Sequence, residues 1–219
     1  MNEGKHGNLN WAASPFRLSA ADAAGSVMCI SYCRVADRFL HRISYLSETG
    51  TQFHLDSCVG DVGSAQWPGD PPLQQLSRET IAGQTTILAV GQAGVGHWSS
   101  SAQAVHCDQG AQIFLDVACR FSVFPLHLGS QYQVPESCFG VCIDSLRVLV
   151  QLPQAALCLE AAIPESHQTA NASIAQWQWD PVTRLLRLTV GGCGTNMPQT
   201  VRWQIKVFAV SGGGPSPAL

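Results

Sequence analysis

Lysine is almost missing from this 219-residue chain, occurring only at Lys5 and Lys206. Charged residues of all kinds reach 12%, about half the usual quarter. The arginines are scattered singly and the net charge is −3, so the basic stripe that nucleic-acid binding requires is absent. No apolar run approaches the ~20 residues of a membrane-spanning helix. The opening Met1-Asn2-Glu3-Gly4-Lys5-His6 is polar, and no apolar run of signal-peptide length follows it. The expectation is a cytoplasmic protein with neither a membrane nor a nucleic acid as partner. A sustained helical period and an internal repeat are also lacking, which excludes helical bundles, βαβ folds and solenoids.

What is present is apolar. Residues of that class make up 46% of the chain, enough to fill a substantial core. Surface polarity then has to come from Ser, Thr, Gln, Gly and the backbone. Such a surface suits a protein that associates with a copy of itself, a partner or a ligand. Nine cysteines are an odd number, and without an export signal they are expected as free thiols. Cys119 and Cys158 sit among alternating apolar residues and read as small core hydrophobes.

Period-two alternation runs through the chain. Between Gln84 and Val123 a strand, the glycine-rich stretch Gly91 to Gly96, and a long hairpin follow one another. Ile113, Leu115, Val117, Cys119 and Phe121 are apolar at every second position, the pattern of a half-buried strand. A two-residue Gln109-Gly110 loop would set Trp98, Ala102 and Ala104 opposite Phe121, Val117 and Leu115, small against large. Arg38 to Leu46 and Thr51 to Cys58 form a hairpin closed by Ser47-Glu48-Thr49-Gly50. Ser173 to Trp179 and Arg184 to Val190 flank a type I turn at Asp180-Pro181. Val141 to Leu152, Ala156 to Ile163 and Val201 to Ala209 each read as one strand. The proline-bearing connection from Gly60 to Thr80 is expected to hold a helical turn or two at Leu73 to Glu79, with Trp67 anchoring it to the core. Together these predict an all-β, mainly antiparallel fold, a sandwich or flattened barrel of about ten strands with little helix. Residues 1–25 read as an irregular arm with room for one short strand around Phe16-Arg17-Leu18, 26–210 as a single β domain and 211–219 as a flexible tail.

No catalytic set is legible. Gly91-Gln92-Ala93-Gly94-Val95-Gly96 lacks the glycine order and following helix of a dinucleotide site, so a structural turn is expected. His97 and Ser99 could supply a base and a nucleophile, but no nucleophile elbow surrounds them. Cys29 with Cys33, and Cys138 with Cys142, have spacing that zinc accepts only if the chain turns between them; no metal site is assigned, Cys138 and Cys142 being the nearest to one. Cys193 lies in a glycine-rich loop, and Asp56 with Asp61, or Asp116, could serve as carboxylates. Trp177 and Trp179 share a strand face, which packing in the core explains most simply and which could otherwise stack on a ligand. The candidate ligand-binding residues are therefore His97, Trp98, Trp177, Trp179 and Cys193, with no cofactor. The expected function is a non-catalytic binding or protein-interaction module, self-association included. The alternative is an enzyme or metalloprotein whose loop-built site gathers His97, His106, Cys138, Cys142 and Cys193.

Overall fold

A computed structural model describes residues 9–58, 65–107, 110–152, 155–164, 174–191 and 197–210. Its first half contains β1 (Arg17–Ala21), β2 (Val27–Val35), β3 (Arg38–Leu46), β4 (Gln52–Ser57), β5 (Leu73–Ile81), β6 (Gln84–Ala93) and β7 (Gly96–Cys107). The second half contains β8 (Gly110–Phe121), β9 (Gly129–Gln133), β10 (Phe139–Cys142), β11 (Arg147–Gln151), β12 (Ala156–Ala162), β13 (Ala175–Asp180), β14 (Leu185–Val190) and β15 (Gln199–Val210). Trp11–Ala13 forms a short 3-10 turn. The class is all-β and antiparallel, with fifteen strands among the described residues in place of the expected ten or so.

All fifteen belong to one sheet. Its path runs β10-β11-β12-β15-β8-β7-β6-β5-β3-β4-β9-β14-β13, with β2 pairing β3 and β1 pairing β2 off that line. The sheet folds over on itself where β5 passes to β3, through the single pair Phe39 and Leu73. The layer from β5 to β10 then faces the layer from β1 to β13. Trp203 of β15 spans the gap and donates from its indole to Ser130 Oγ of β9 at 3.3 Å. At the far side β10 and β13 approach each other, and Trp177 N donates to Ser145 O at 2.8 Å. The result is a flattened, nearly closed barrel, which leaves little open sheet edge.

Three expectations need correction. Leu73–Ile81 is a strand, not a helical turn: its pairing with β6 satisfies backbone groups that one isolated turn would leave open. Val141 to Leu152 is a hairpin, β10 and β11, because Asp144 Oδ1 accepts from Leu146 N at 2.9 Å and Arg147 N at 2.8 Å and so closes a turn. The β7–β8 register lies two residues from the one expected, with Trp98 opposite Cys119, Ala102 opposite Leu115 and Ala104 opposite Ile113. A two-residue offset keeps every side chain on its face. It also takes Trp98 off Phe121, and Trp67 fills the space, 5.8 Å from Trp98 and 6.1 Å from Phe121 in edge-on contacts. Trp67 thus anchors its connection, as its position in a proline-bearing loop suggests. The Arg38 and Asp180 hairpins form as read; Asp180 Oδ1 accepts from Val182 N and Thr183 N at 2.9 and 3.2 Å.

Candidate functional site

Among the described residues, three places that gather polar chemistry stand out. The first is internal. Between the layers, Tyr32 of β2, His41 of β3 and Tyr132 of β9 surround Asp70, and all four are at least nine-tenths buried. His41 N donates to Ser57 Oγ at 2.9 Å, and His41 Nε2 shares a hydrogen bond with Tyr132 Oη at 3.1 Å. Asp70 takes hydrogen bonds from Gln131 N at 3.3 Å and from the Ser57 side chain. Burial pushes the Asp70 carboxyl up to about 8, offset in part by those two hydrogen bonds and the Arg38 charge. Burial also holds His41 down at about 4, against a smaller opposing pull from Asp56. Both groups are therefore neutral just below pH 7. The space they enclose is about 10 Å³, room for about one water and for no larger ligand.

The second is a shallow depression of about 390 Å³ on the outer face of β6, β7, β8 and β15. Ser99 and Ser101 form its floor, with Asp116 and Arg202 along one side. Arg202 Nε donates to Asp116 Oδ1 at 2.6 Å and Gln204 Nε2 to Oδ2 at 2.7 Å. These groups satisfy one another, which makes the depression a stabilised sheet face. Measured by urea unfolding of Asp116→Asn, Arg202→Gln and the double variant, the pair should show a coupling of about 0.5–1 kcal/mol that shrinks in high salt.

The third is a cleft of about 340 Å³ between the Trp11–Ala13 turn and the outer face of β1, β2 and β3. Arg17 faces Ser31 across β1 and β2, and Ser31 faces Arg42 across β2 and β3. The alternation of each strand turns these three outward, and the pairing places them in one row. Arg42 is held by Asp56 through two hydrogen bonds of 2.5 and 2.7 Å, and its guanidinium lies 4.8 Å from the centre of the Trp11 ring. Arg17 Nε donates to Cys29 Sγ at 3.0 Å. Its other nitrogens have no carboxylate partner among the described residues. Ser31, 3% exposed, lines this cleft. Its size falls at the small end of ligand clefts.

The sequence-derived candidates lie elsewhere and do not converge. His97 is exposed on the outer face of β7, paired in register with Arg120. Trp98 is buried against Trp67. Trp177 is 2% exposed and tilts against Tyr132, while half-buried Trp179 lies under Gly140 and beside the Arg184 guanidinium. The face they share is therefore the packed one. His106 is exposed, its Nδ1 3.0 Å from Ala21 O. Cys138 is buried and Cys142 exposed; among the described residues no three His, Cys, Asp or Glu side chains gather to hold a metal ion. Cys29 and Cys33 lie four apart on the uninterrupted β2. Cys193 and Asp61 fall outside the described residues. No family model matches this chain, and neither does any curated protein or solved structure.

Arg17, Ser31 and Arg42 went unremarked in the sequence because each is a single polar residue on an alternating strand. The available signal was that Arg17 and Ser19, Cys29 and Ser31, and Arg42 and Ser44 repeat a polar outward pair on consecutive strands.

Proposed function

We propose that the protein is a non-catalytic binding module and that the cleft between the Trp11–Ala13 turn and β1–β3 holds its ligand. The observation that carries this reading is Arg17, whose terminal guanidinium nitrogens have no carboxylate partner among the described residues, on the wall of a cavity of about 340 Å³. Ser44, on the same cleft wall, provides the test. Ser44→Trp fills the cleft from an outer strand face and is expected to leave the thermal midpoint within a degree or two. A small molecule retained by the native protein in a native mass spectrum, or bound in a ligand screen, should be lost in this variant. Retention by both proteins would move the site elsewhere, and a zinc-sized mass increment would favour the metalloprotein alternative.

A second reading, self-association, is favoured by the exposed apolar residues Phe139, Val141, Ile143 and Leu146 on β10 and the turn after it. β10 ends the sheet path. Sedimentation of the purified protein would read a dimer, and Val141→Lys would dissolve it.

A further inference from the structure

Resting on the reading of the cleft as a binding site, we infer that its ligand is a small organic molecule carrying one carboxylate on an apolar body. Charge sets the first part. Among the described residues, Arg17 and Arg42 are the charged ones lining the cleft, and Asp56 neutralises Arg42. One positive charge is left over, that of Arg17, and it matches one negative charge on a ligand.

Hydrogen bonding sets the second part. Arg17 has Nη1 and Nη2 uncommitted among the described residues, since its Nε is taken by Cys29. A guanidinium edge with two such donors fits a carboxylate. The Ser31 hydroxyl on the same wall supplies a further donor. The two residues sit opposite each other in register on β1 and β2 and line the same cleft.

The rest of the wall sets the third part. Leu9, Ala12, Val27 and Leu46 line the cleft together with Trp11. A bare inorganic anion would leave that surface wet, whereas an apolar chain or ring would cover it.

Calorimetric titration with hexanoate, its uncharged isostere hexanamide, and inorganic phosphate tests the inference on the native protein, Arg17→Gln, Ser31→Ala and Ser44→Trp. Hexanoate should bind in the millimolar range or tighter, and at least about tenfold more tightly than hexanamide, or about 1.4 kcal/mol. Arg17→Gln should erase that preference while leaving hexanamide unchanged, and Ser31→Ala should weaken hexanoate less. Matching circular dichroism and thermal midpoints for all four proteins exclude misfolding as the cause. Equal binding of hexanoate and hexanamide, both lost in Ser44→Trp, would overturn the carboxylate while leaving the cleft as the site. Phosphate binding as tightly as hexanoate would overturn the apolar body. Hexanoate binding that survives Ser44→Trp, or no binding by the native protein, would overturn the inference, and survival would remove the cleft reading as well.

Discussion

Between pH 6.5 and 8 the protein is expected to lose about 2 kcal/mol of stability, a decline that Asp70→Asn should abolish. Asp70 has an ordinary value of 3.8 and is raised by burial to about 8 in the folded protein. The folded state therefore keeps a proton that the unfolded chain has released, and each pH unit in that interval costs about 1.4 kcal/mol. This carboxyl contributes its full share below about pH 4 and loses it as pH rises through 8. His41 works in the opposite direction. Its value falls from 6.5 to about 4 on burial, so its share is complete above 6.5 and is lost as pH falls through 4. From pH 4 to 6.5 the two slopes cancel, and from 6.5 to 8 Asp70 acts alone. His54 and His127 are also lowered, mainly by burial, which adds a gentle rise up to 6.5. The stability curve should thus peak near pH 6 to 6.5. The groups facing Asp70 support this window: the two tyrosines, Tyr32 and Tyr132, are both raised above 10, and Ser57 and Gln131 N do not titrate. Asparagine preserves the carbonyl that accepts from Gln131 N. Urea unfolding of the native protein and Asp70→Asn at half-unit pH steps reads the effect, and a native curve that is flat or rising from 6.5 to 8 would refute it.

Gly91→Ala is expected to cost about 3 kcal/mol, at the upper end for overpacking, while Gly191→Ala stays within about 0.5 kcal/mol of the native protein. Gly91 lies on β6 opposite Leu73, where the β5–β6 ladder shifts register between Leu73 and Gln75. A Cβ at Gly91 would stand 1.8 Å from Pro72 O and 3.0 Å from Leu73 Cα, both backbone atoms that cannot swing aside. Leu73 is also the residue that joins β5 to β3 at the fold of the sheet. The substitution therefore strains the corner that brings the two layers together. Among the described residues, Gly191 has nothing within 4 Å of the same added carbon. Urea midpoints for both variants provide the comparison. A neutral Gly91→Ala would mean that the corner yields at little cost, and would reopen the question of what the glycines from Gly91 to Gly96 do. The other two already have local reasons: Gly94 takes φ +53 in the turn between β6 and β7, and Gly96 packs against the Trp98 ring.

The sequence by itself determined the β class, most of the strands and which face of each is buried. Those properties follow from the period of two in one strand and from turn residues such as Asp180 and Gly50, all of them local. It could not distinguish registers that differ by two residues, because Trp98, Ala102 and Ala104 meet the same face of β8 in either. Trp67, distant along the chain, occupies the space between Trp98 and Phe121. Nor could it show that Trp177 and Trp179 turn toward the packed interior, since an alternating face looks the same whether a second layer covers it or water does. The split of Val141 to Leu152 depended on one Asp144 side chain closing a turn. The cleft depended entirely on tertiary structure. Arg17, Ser31 and Arg42 belong to three separate strands, and only their pairing puts them in one row along a single cleft. The Asp70 cluster arises for the same reason, from β2, β3, β4, β9 and a connecting segment that meet only when the sheet folds. Facing and turn are decided by neighbours in the chain, whereas charge balance and burial are decided by neighbours in space.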